Sequence, residues 1–487
     1  MAELSPMMKQ YFEIKDQYKD AIVFFRLGDF YEMFFDDAIL ASKELELTLT
    51  GRDCGQDERA PMCGVPFHSC EGYIARLIQK GYKVAICEQM EDPALAKGLV
   101  KRDIIRVVTP GTVIESSMLD DAKNNYIASL YITDGCAGIA FADVSTGVCH
   151  TTALSGEKLT AGIVGELCRF LPSELLLNSE ILKHKSITDY IKNHLNCSVE
   201  LLEDEVYTLA LAREKMTAQF GADYAQTTGI APDSPCALSI SALLGYLEST
   251  QKKGVERLKT VDYYNGNQYM KLSPVTRANL ELTETMRGRE KKGTLLWVLD
   301  RTETAMGKRL VRNWIEQPLL DVDAINLRLD GTAELYLNHV LRADLMETLA
   351  KIFDLERLMT RIIYGSASPK EVYALASTCA VLPQVLALIE GCTSTALCGI
   401  RSRIDPLVDI RTRIESAIDE NTPVTIKEGG VICAGFSAEV DELRDIVHGG
   451  KGLLTALETK LREETGISKL KIGYNRVFGY YIEISRS

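Results

Sequence analysis

The sequence lacks the features that mark membrane, secreted and zinc-binding proteins. Its 487 residues contain no run near the roughly 18 uninterrupted apolar residues of a membrane span. The N-terminus has neither the basic nor the apolar region of a signal peptide. None of the 13 cysteines forms a CxxC pair, and Cys63 and His68 have no second pair to complete a zinc site. We therefore predict a cytoplasmic protein with reduced cysteines and no metal site.

A phosphate-binding loop of the form GxxxxGK[ST] is also missing. Lys308 and Lys451 each follow a glycine, but neither segment has the spacing or the Ser/Thr that would hold Mg²⁺. The sequence therefore predicts no ATPase, no enzyme activity and no bound cofactor for these residues.

The net charge of −13 argues against a generic nucleic-acid binder, which is usually basic. Three local stretches are nevertheless basic: Lys97, Lys101, Arg102 and Arg106; Arg287, Arg289, Lys291, Lys292, Arg301, Lys308, Arg309 and Arg312; and Lys469, Lys471, Arg476 and Arg486. A solvated helix face explains such a run as well as a DNA contact does. Charge alone leaves the partner open.

Hydrophobic periodicity predicts a multidomain fold of α/β and α regions. Residues 1–115 are predicted as mixed α/β, with a long strand over 21–35, a helix starting at Asp36 and Asp37, and a strand over 83–89. A second α/β region follows, with β runs over 126–133 and 137–152.

Later residues are predicted as mainly helical, and Ser437 is predicted to cap a long helix. The segments concerned are 276–289, 293–317, 322–352, 355–363, 370–389 and 438–465, followed by a β segment over 469–485.

One strand carries an unusual pattern around Phe30. If residues 21–35 form a single strand, side chains alternate between its faces. Phe30 and Glu32 then share the more polar face with Arg26 and Gly28, and Gly28 would let another backbone approach. Packing of Phe30 under a neighbouring helix, with Glu32 solvated, fits the same periodicity.

A series of motifs resembles the MutS family. Gly28-Asp29-Phe30-Tyr31-Glu32 resembles its GDFYE motif, and further segments resemble its other signatures in the same order. These segments are 61–68 with Tyr73, 84–89, 106–112, 299–309 with Trp314 and Pro318, 473–475 and 479–482. Because the series is collinear over nearly the whole chain, it is far more specific than five residues alone.

The resemblance implies a domain order and a function. It implies a mismatch-recognition domain at 1–115, an RNase-H-like connector at 124–253, a core or lever domain at 257–430 and a truncated clamp at 431–487. The family's ATPase, which uses ATP and Mg²⁺, would then lie beyond this chain. The implied function is recognition of mismatched or unpaired bases in double-stranded DNA, the first step of mismatch repair.

The resemblance also implies residue roles and partners. Phe30 would enter the minor groove and stack on a mispaired base, and Glu32 would contact that base. A carboxylate among phosphates can help only by accepting a base N–H or, once protonated, by donating. We therefore expect Glu32 to penalise ordinary duplex. Arg52 and Arg106 are predicted phosphate contacts, with surface charge as the alternative for each.

The expected partners are DNA with mismatches or small insertion/deletion loops, a MutL-type protein and a second copy of the full-length protein, whereas the truncated chain is expected to be monomeric. Two alternatives stay open. The chain could be a family scaffold or branched-DNA binder without mismatch sensing. The connector could also be a metal-dependent nuclease with Asp143 as its first ligand.

Overall fold

The computed structural model describes residues 4–55, 58–92, 96, 98–264, 268–475 and 479–484. Three basic residues noted in the sequence, Lys97, Arg476 and Arg486, lie outside the described residues. The chain divides into two compact units, one of Met1–Ala367 with Val381–Asp405 and one of Ser368–Ala380 with Pro406–Ser487. The domain boundaries derived from the sequence stay predictions.

The first unit begins with a six-stranded mixed sheet. Its strands are β1 (Ala21–Leu27), β2 (Phe30–Phe34), β3 (Thr50–Arg52), β4 (Ala60–Pro66), β5 (Lys83–Gln89) and β6 (Arg102–Val108). They lie in the order β3-β4-β2-β1-β5-β6. β1 and β5 are parallel, and the other neighbours are antiparallel.

Helices cover both faces of this sheet. They are α1 (Pro6–Lys15), α2 (Phe35–Leu45) and α3 (Cys70–Gln79). Ser5 caps α1, and Pro6 occupies its first turn. α1 packs against one face through Met8 and Tyr11, whereas α2 and α3 pack against the other. Asp36 and Asp37 lie in the first turn of α2, as predicted.

The predicted single strand over 21–35 is wrong. A two-residue turn, Gly28-Asp29, folds it into β1 and β2, so that Leu27 pairs with Phe30. Gly28 has φ +56°, a conformation that glycine adopts without steric cost. Because paired residues of antiparallel strands share a face, Phe30 and Glu32 lie on the side of Leu27 and not on that of Arg26.

The second sheet of this unit has the order β11-β10-β7-β8-β9-β12. Its strands in chain order are β7 (Ile127–Thr133), β8 (Cys136–Asp143), β9 (Val148–Ser155), β10 (Glu174–Leu177), β11 (Ser198–Leu201) and β12 (Asp262–Tyr263). β7, β8 and β9 form an antiparallel meander, and the other strands add in parallel. The predicted β run over 137–152 is therefore two strands, since a turn follows Asp143.

Helices also cover both faces of the second sheet. They are α4 (Leu159–Phe170), α5 (Lys185–His194), α6 (Leu209–Phe220), α7 (Tyr224–Thr228) and α8 (Pro235–Gln251). α4 and α5 pack on one face and α8 on the other. A Cβ at Gly138 of β8 would lie 2.2 Å from the Pro235 carbonyl. Only glycine lets α8 approach β8 this closely.

The rest of the first unit is helical. Its helices are α9 (Pro274–Asn279), α10 (Leu295–Leu299), α11 (Ala305–Glu316), α12 (Val322–Leu337), α13 (His339–Leu349), α14 (Leu355–Tyr364) and α16 (Thr395–Arg401), with α15 (Pro369–Leu388) shared between the units. Three predicted helices are shorter or split. The helix over 276–289 ends at Asn279, and Thr304 and Asn338 cap new helices inside the other two.

The second unit contains α17 (Val408–Ala417), α18 (Ala438–Thr465), β13 (Leu470–Asn475) and β14 (Gly479–Ile484). The Ser437 side chain caps α18, as predicted, and Gly466 ends it with a positive φ. The predicted β segment over 469–485 forms an antiparallel pair of strands.

The chain is thus a mixed α/β protein with a long helical segment. Among the described residues, one helix, Pro369–Leu388, passes the length and composition test for a membrane span. A single such helix is weak evidence for a membrane protein, because the core helices of other proteins pass the same test.

Candidate nucleic-acid interface

The hairpin formed by β1 and β2 projects an aromatic ring. Phe30 directly follows the two-residue turn, and 47 % of its surface is exposed. In the described part of the first sheet and its helices, every other phenylalanine is buried or half-buried. The hairpin therefore presents one large apolar side chain to the outside, at its tip.

Three contacts hold this tip in place. The Arg26 Nε donates to the Gly28 carbonyl at 2.6 Å, and the Arg26 guanidinium lies 3.6 Å from the centroid of the Phe67 ring. The Phe67 N–H donates to the Asp29 carbonyl at 3.0 Å. Such bonds fix the turn without covering Phe30. Sequence reasoning noted Phe67 only as part of a motif and assigned Arg26 no role.

The opposite face of β2 anchors the hairpin to the sheet. Tyr31 is buried, and its hydroxyl donates a hydrogen bond to Glu88 of β5. Arg26 also pairs with Glu88, at 3.3 Å. Burial, followed by the bond and the charge of Glu88, raises the pKa of Tyr31, which keeps this hydroxyl a donor.

Glu32 lies on the same face as Phe30 and is not a free carboxylate. Arg52 Nη1 of β3 donates to Glu32 Oε2, and the two form an ion pair. The side chains are 37 % exposed for Arg52 and 16 % for Glu32. The residue opposite Glu32 on β4 is Gly64. The structure therefore joins two residues that the sequence placed in separate roles.

Arg106 lies in the interior, between the first sheet and α8. Only 8 % of its surface is exposed. Its nitrogens donate to Gln251 Oε1 at 2.8 Å, to Glu115 Oε1 at 2.6 Å and to the Thr112 carbonyl at 2.7 Å. The prediction that Arg106 contacts a phosphate gains no support from this arrangement, because the side chain is buried and these three bonds are directed to the protein itself.

The turn after β6 also forms buried contacts with the second sheet and its helix α8. Glu174 of β10 is fully buried and accepts bonds from the Thr109 hydroxyl, from the Gly111 N–H at 3.0 Å and from the Tyr246 hydroxyl at 2.6 Å. Burial raises the pKa of Glu174, although these donors act in the opposite direction. We call Arg106, Thr109, Gly111, Glu174 and Gln251 the buried joint.

Asp143 has a structural role. Its Oδ1 accepts bonds from the Ser145 N–H and hydroxyl, and its Oδ2 accepts bonds from Asn124 and Asn125. Within the described residues, no group of three or more His, Cys, Asp or Glu side chains is placed to hold a metal ion. The nuclease alternative gains no support from this geometry.

Part of the middle basic stretch is also structural. Arg309 and Arg312 are buried. Arg309 pairs with Asp354 and Glu356, and Arg312 pairs with Glu316. The residues that remain exposed are Arg287, Arg289, Lys291, Lys292 and Arg301.

Comparison with known families agrees with this architecture. Models described as MutS domain I, MutS domain II and MutS domain III match residues 5–117, 125–261 and 275–471, in that order. Together they account for most of the chain. The chain belongs to the MutS family.

Curated relatives extend the match. The chain is 47 % identical to the DNA mismatch repair protein MutS of Ruminiclostridium cellulolyticum, over all of this chain and 55 % of that protein. It is also 47 % identical to the protein of the same name from Acetivibrio thermocellus, again over all of this chain and 56 % of the relative. The chain spans about half the length of the curated relatives it matches. The family resemblance predicted from the motifs is confirmed.

Proposed function

We propose that this MutS-family chain binds double-stranded DNA at mismatched or unpaired bases, with Phe30 as the wedge and Glu32 in contact with the displaced base. The exposed Phe30 ring at the tip of a fixed hairpin carries this proposal. Membership of a family whose named relatives are DNA mismatch repair proteins supports it.

The energetics of inserting a side chain into DNA explain why an aromatic wedge suits mismatch recognition. Inserting an apolar side chain costs a few kcal/mol of unstacking per step, and bending a site costs roughly 1–6 kcal/mol. Aromatic stacking on a base returns about 1–3 kcal/mol for any base. At a paired site the energy gained by stacking is therefore close to the energy that insertion and bending cost. Insertion is favoured where a mispaired base has already lost stacking and pairing energy.

The hairpin geometry reduces a further cost. A mobile wedge would lose conformational freedom on insertion. The bonds from Arg26 to Gly28 and from Phe67 to Asp29 fix the two residues directly before Phe30 before DNA arrives. The homodimer, the MutL-type partner and the use of ATP and Mg²⁺ belong to the whole protein and stay predictions.

Replacing Phe30 tests the wedge. Anisotropy titrations would compare the 487-residue chain with Phe30→Ala on one duplex, made either fully paired or with a single G·T or unpaired T. Loss of stacking should weaken binding to the mismatched duplex between about fivefold and a hundredfold, with little change on paired DNA. Phe353→Ala, which removes another exposed phenylalanine, is the control and should bind as the unaltered chain does.

Two results would contradict the proposal. An unchanged mismatch preference in Phe30→Ala would remove the wedge assignment. Equal binding of the unaltered chain to paired, mismatched and four-way-junction DNA would instead favour the branched-DNA alternative.

A further inference from the structure

The ion pair of Glu32 and Arg52 lies next to the proposed wedge. Phe30 and Glu32 are two residues apart on β2 and share a face, which places their Cα atoms roughly 7 Å apart. Arg52 reaches Glu32 from β3, although β4 lies between the two strands. A base displaced by Phe30 would therefore meet Glu32 already bound to Arg52.

Within the residues that the structure describes, both partners keep unused hydrogen-bonding capacity. Arg52 holds Oε2 of Glu32, and Oε1 accepts no hydrogen bond from any residue that the structure describes. A guanidinium has five N–H donors in a planar fork, and the bond to Glu32 uses one of them. A base N–H can therefore reach Oε1 while another Arg52 donor reaches a phosphate oxygen.

The pair also removes an electrostatic conflict. A lone carboxylate in a groove lined by phosphates is repelled and loses its hydration. With Arg52 bound, the local charge is balanced and the carboxylate keeps a partner. Gly64 leaves room for this arrangement. A Cβ at that position would lie 3.2 Å from the Tyr31 carbonyl oxygen, which is tight, and 3.4 Å from Glu32 Cγ, in ordinary contact.

We propose that Arg52 is a positioning residue for Glu32 and that the pair stays closed on DNA, bridging the displaced base to a backbone phosphate. This inference rests on the proposed function of Phe30 and Glu32. The competing arrangement is an open pair, in which Arg52 leaves Glu32 and acts as an ordinary phosphate contact.

A double-mutant cycle separates the two arrangements. The variants are Glu32→Gln, Arg52→Met and both together, titrated with mismatched and paired duplexes over a range of salt concentrations. A closed bridge predicts that Arg52→Met weakens mismatched binding about tenfold and paired binding less than threefold. The double variant should bind no more weakly than the weaker single variant, because the bridge is lost in either case.

Salt dependence and two further variants sharpen this test. Loss of one phosphate contact lowers the slope of log K against log salt by about 0.9, and the bridge predicts this change on mismatched DNA only. Arg52→Lys keeps the charge without the planar fork, so it should restore the slope but not the full mismatch preference. Arg59→Met removes an exposed cation near β3 and should affect both duplexes equally.

The possible failures are distinguishable. Additive effects of Glu32→Gln and Arg52→Met, or equal slope changes on both duplexes, would overturn the closed bridge while leaving the mismatch preference of the unaltered chain intact. Absence of any preference in the unaltered chain would instead overturn the proposed function. Matching thermal midpoints of Arg52→Met and Arg59→Met would exclude a folding defect.

Discussion

Two arginines of the same unit show how differently one residue type can be used. Arg52 is 37 % exposed and pairs with Glu32 beside the projecting Phe30. The Arg106 side chain is 9 % exposed, and its bonds run to Gln251, to Glu115 and to a backbone carbonyl. The hairpin tip leaves donors and a ring available to a partner. The buried joint directs its polar groups to the protein itself.

Two glycines repeat this contrast. Gly28 at the tip has a positive φ, and a Cβ there would meet no atom within 4 Å. Gly111 in the joint has no positive φ, but a Cβ there would lie 2.8 Å from the Cβ atoms of Glu174 and Ile127. One glycine is required for its backbone conformation and the other for space. The tip therefore depends on local geometry, whereas the joint depends on packing between distant segments.

The largest loss of folding stability is expected when Arg106 of the buried joint is replaced. Burial would raise the pKa of Glu115, but the Arg106 charge and hydrogen bonds lower it below its ordinary value. Arg106→Met removes the cation from this mostly buried carboxylate and the donor to Gln251 Oε1. Removing one member of a buried ion pair costs about 3–5 kcal/mol, so the urea midpoint followed by circular dichroism should fall sharply.

Arg52→Met is the matched comparison for stability. Arg52 is the more exposed of the two arginines, and an ion pair open to solvent contributes about 0–1 kcal/mol. The urea midpoint of this variant should therefore move less than that of Arg106→Met. Comparable losses in Arg52→Met and Arg106→Met would contradict the distinction between an exposed tip and a buried joint.

A loss of stability smaller than that of Arg106→Met is expected from Gly111→Ala. The added methyl group would press on Glu174 and Ile127, and overpacking of this kind costs roughly 1–3 kcal/mol. Gly165→Ala on α4 is the control, because a Cβ there meets no atom within 4 Å and alanine favours a helix. Thermal unfolding should show a lower midpoint for Gly111→Ala and no decrease in the midpoint for Gly165→Ala. An unchanged midpoint in Gly111→Ala would mean that the joint adapts freely.

The sequence predicted elements whose signals are local. Strand β5 has the predicted ends, and Ser437 and Gly466 bound α18 because caps act on adjacent backbone groups. The hairpin at Gly28 was missed because apolar residues lie on both sides of Gly28-Asp29 and were interpreted as one strand. A Gly-Asp dipeptide between two β runs is a hairpin signal that could have found the turn. The candidate Phe30 was nevertheless identified, through the family motif and not through the strand pattern.

The roles of Arg52 and Arg106 required the folded chain. Gln251 lies 145 residues from Arg106, and no local pattern connects them. Glu32 and Arg52 are 20 residues apart on strands that are not adjacent. An arginine in a predicted strand gives the same sequence pattern whether its side chain forms bonds at the surface or in the interior. The site prediction therefore failed to find contacts between residues distant in sequence, although it identified residues of suitable chemistry.

Among the glycine and joint variants the smallest loss of stability is expected at Gly28, where the effects of backbone conformation and of space can be separated. Alanine at φ +56° costs about 1 kcal/mol, and no contact is made or lost. Asparagine tolerates this conformation better than alanine does, so Gly28→Asn should recover part of the loss. Because the turn sets the direction of Phe30, mismatch affinity should follow the same order, with glycine strongest and alanine weakest. A variant pair with equal stability and equal mismatch affinity would show that the positive φ of Gly28 does not position the wedge.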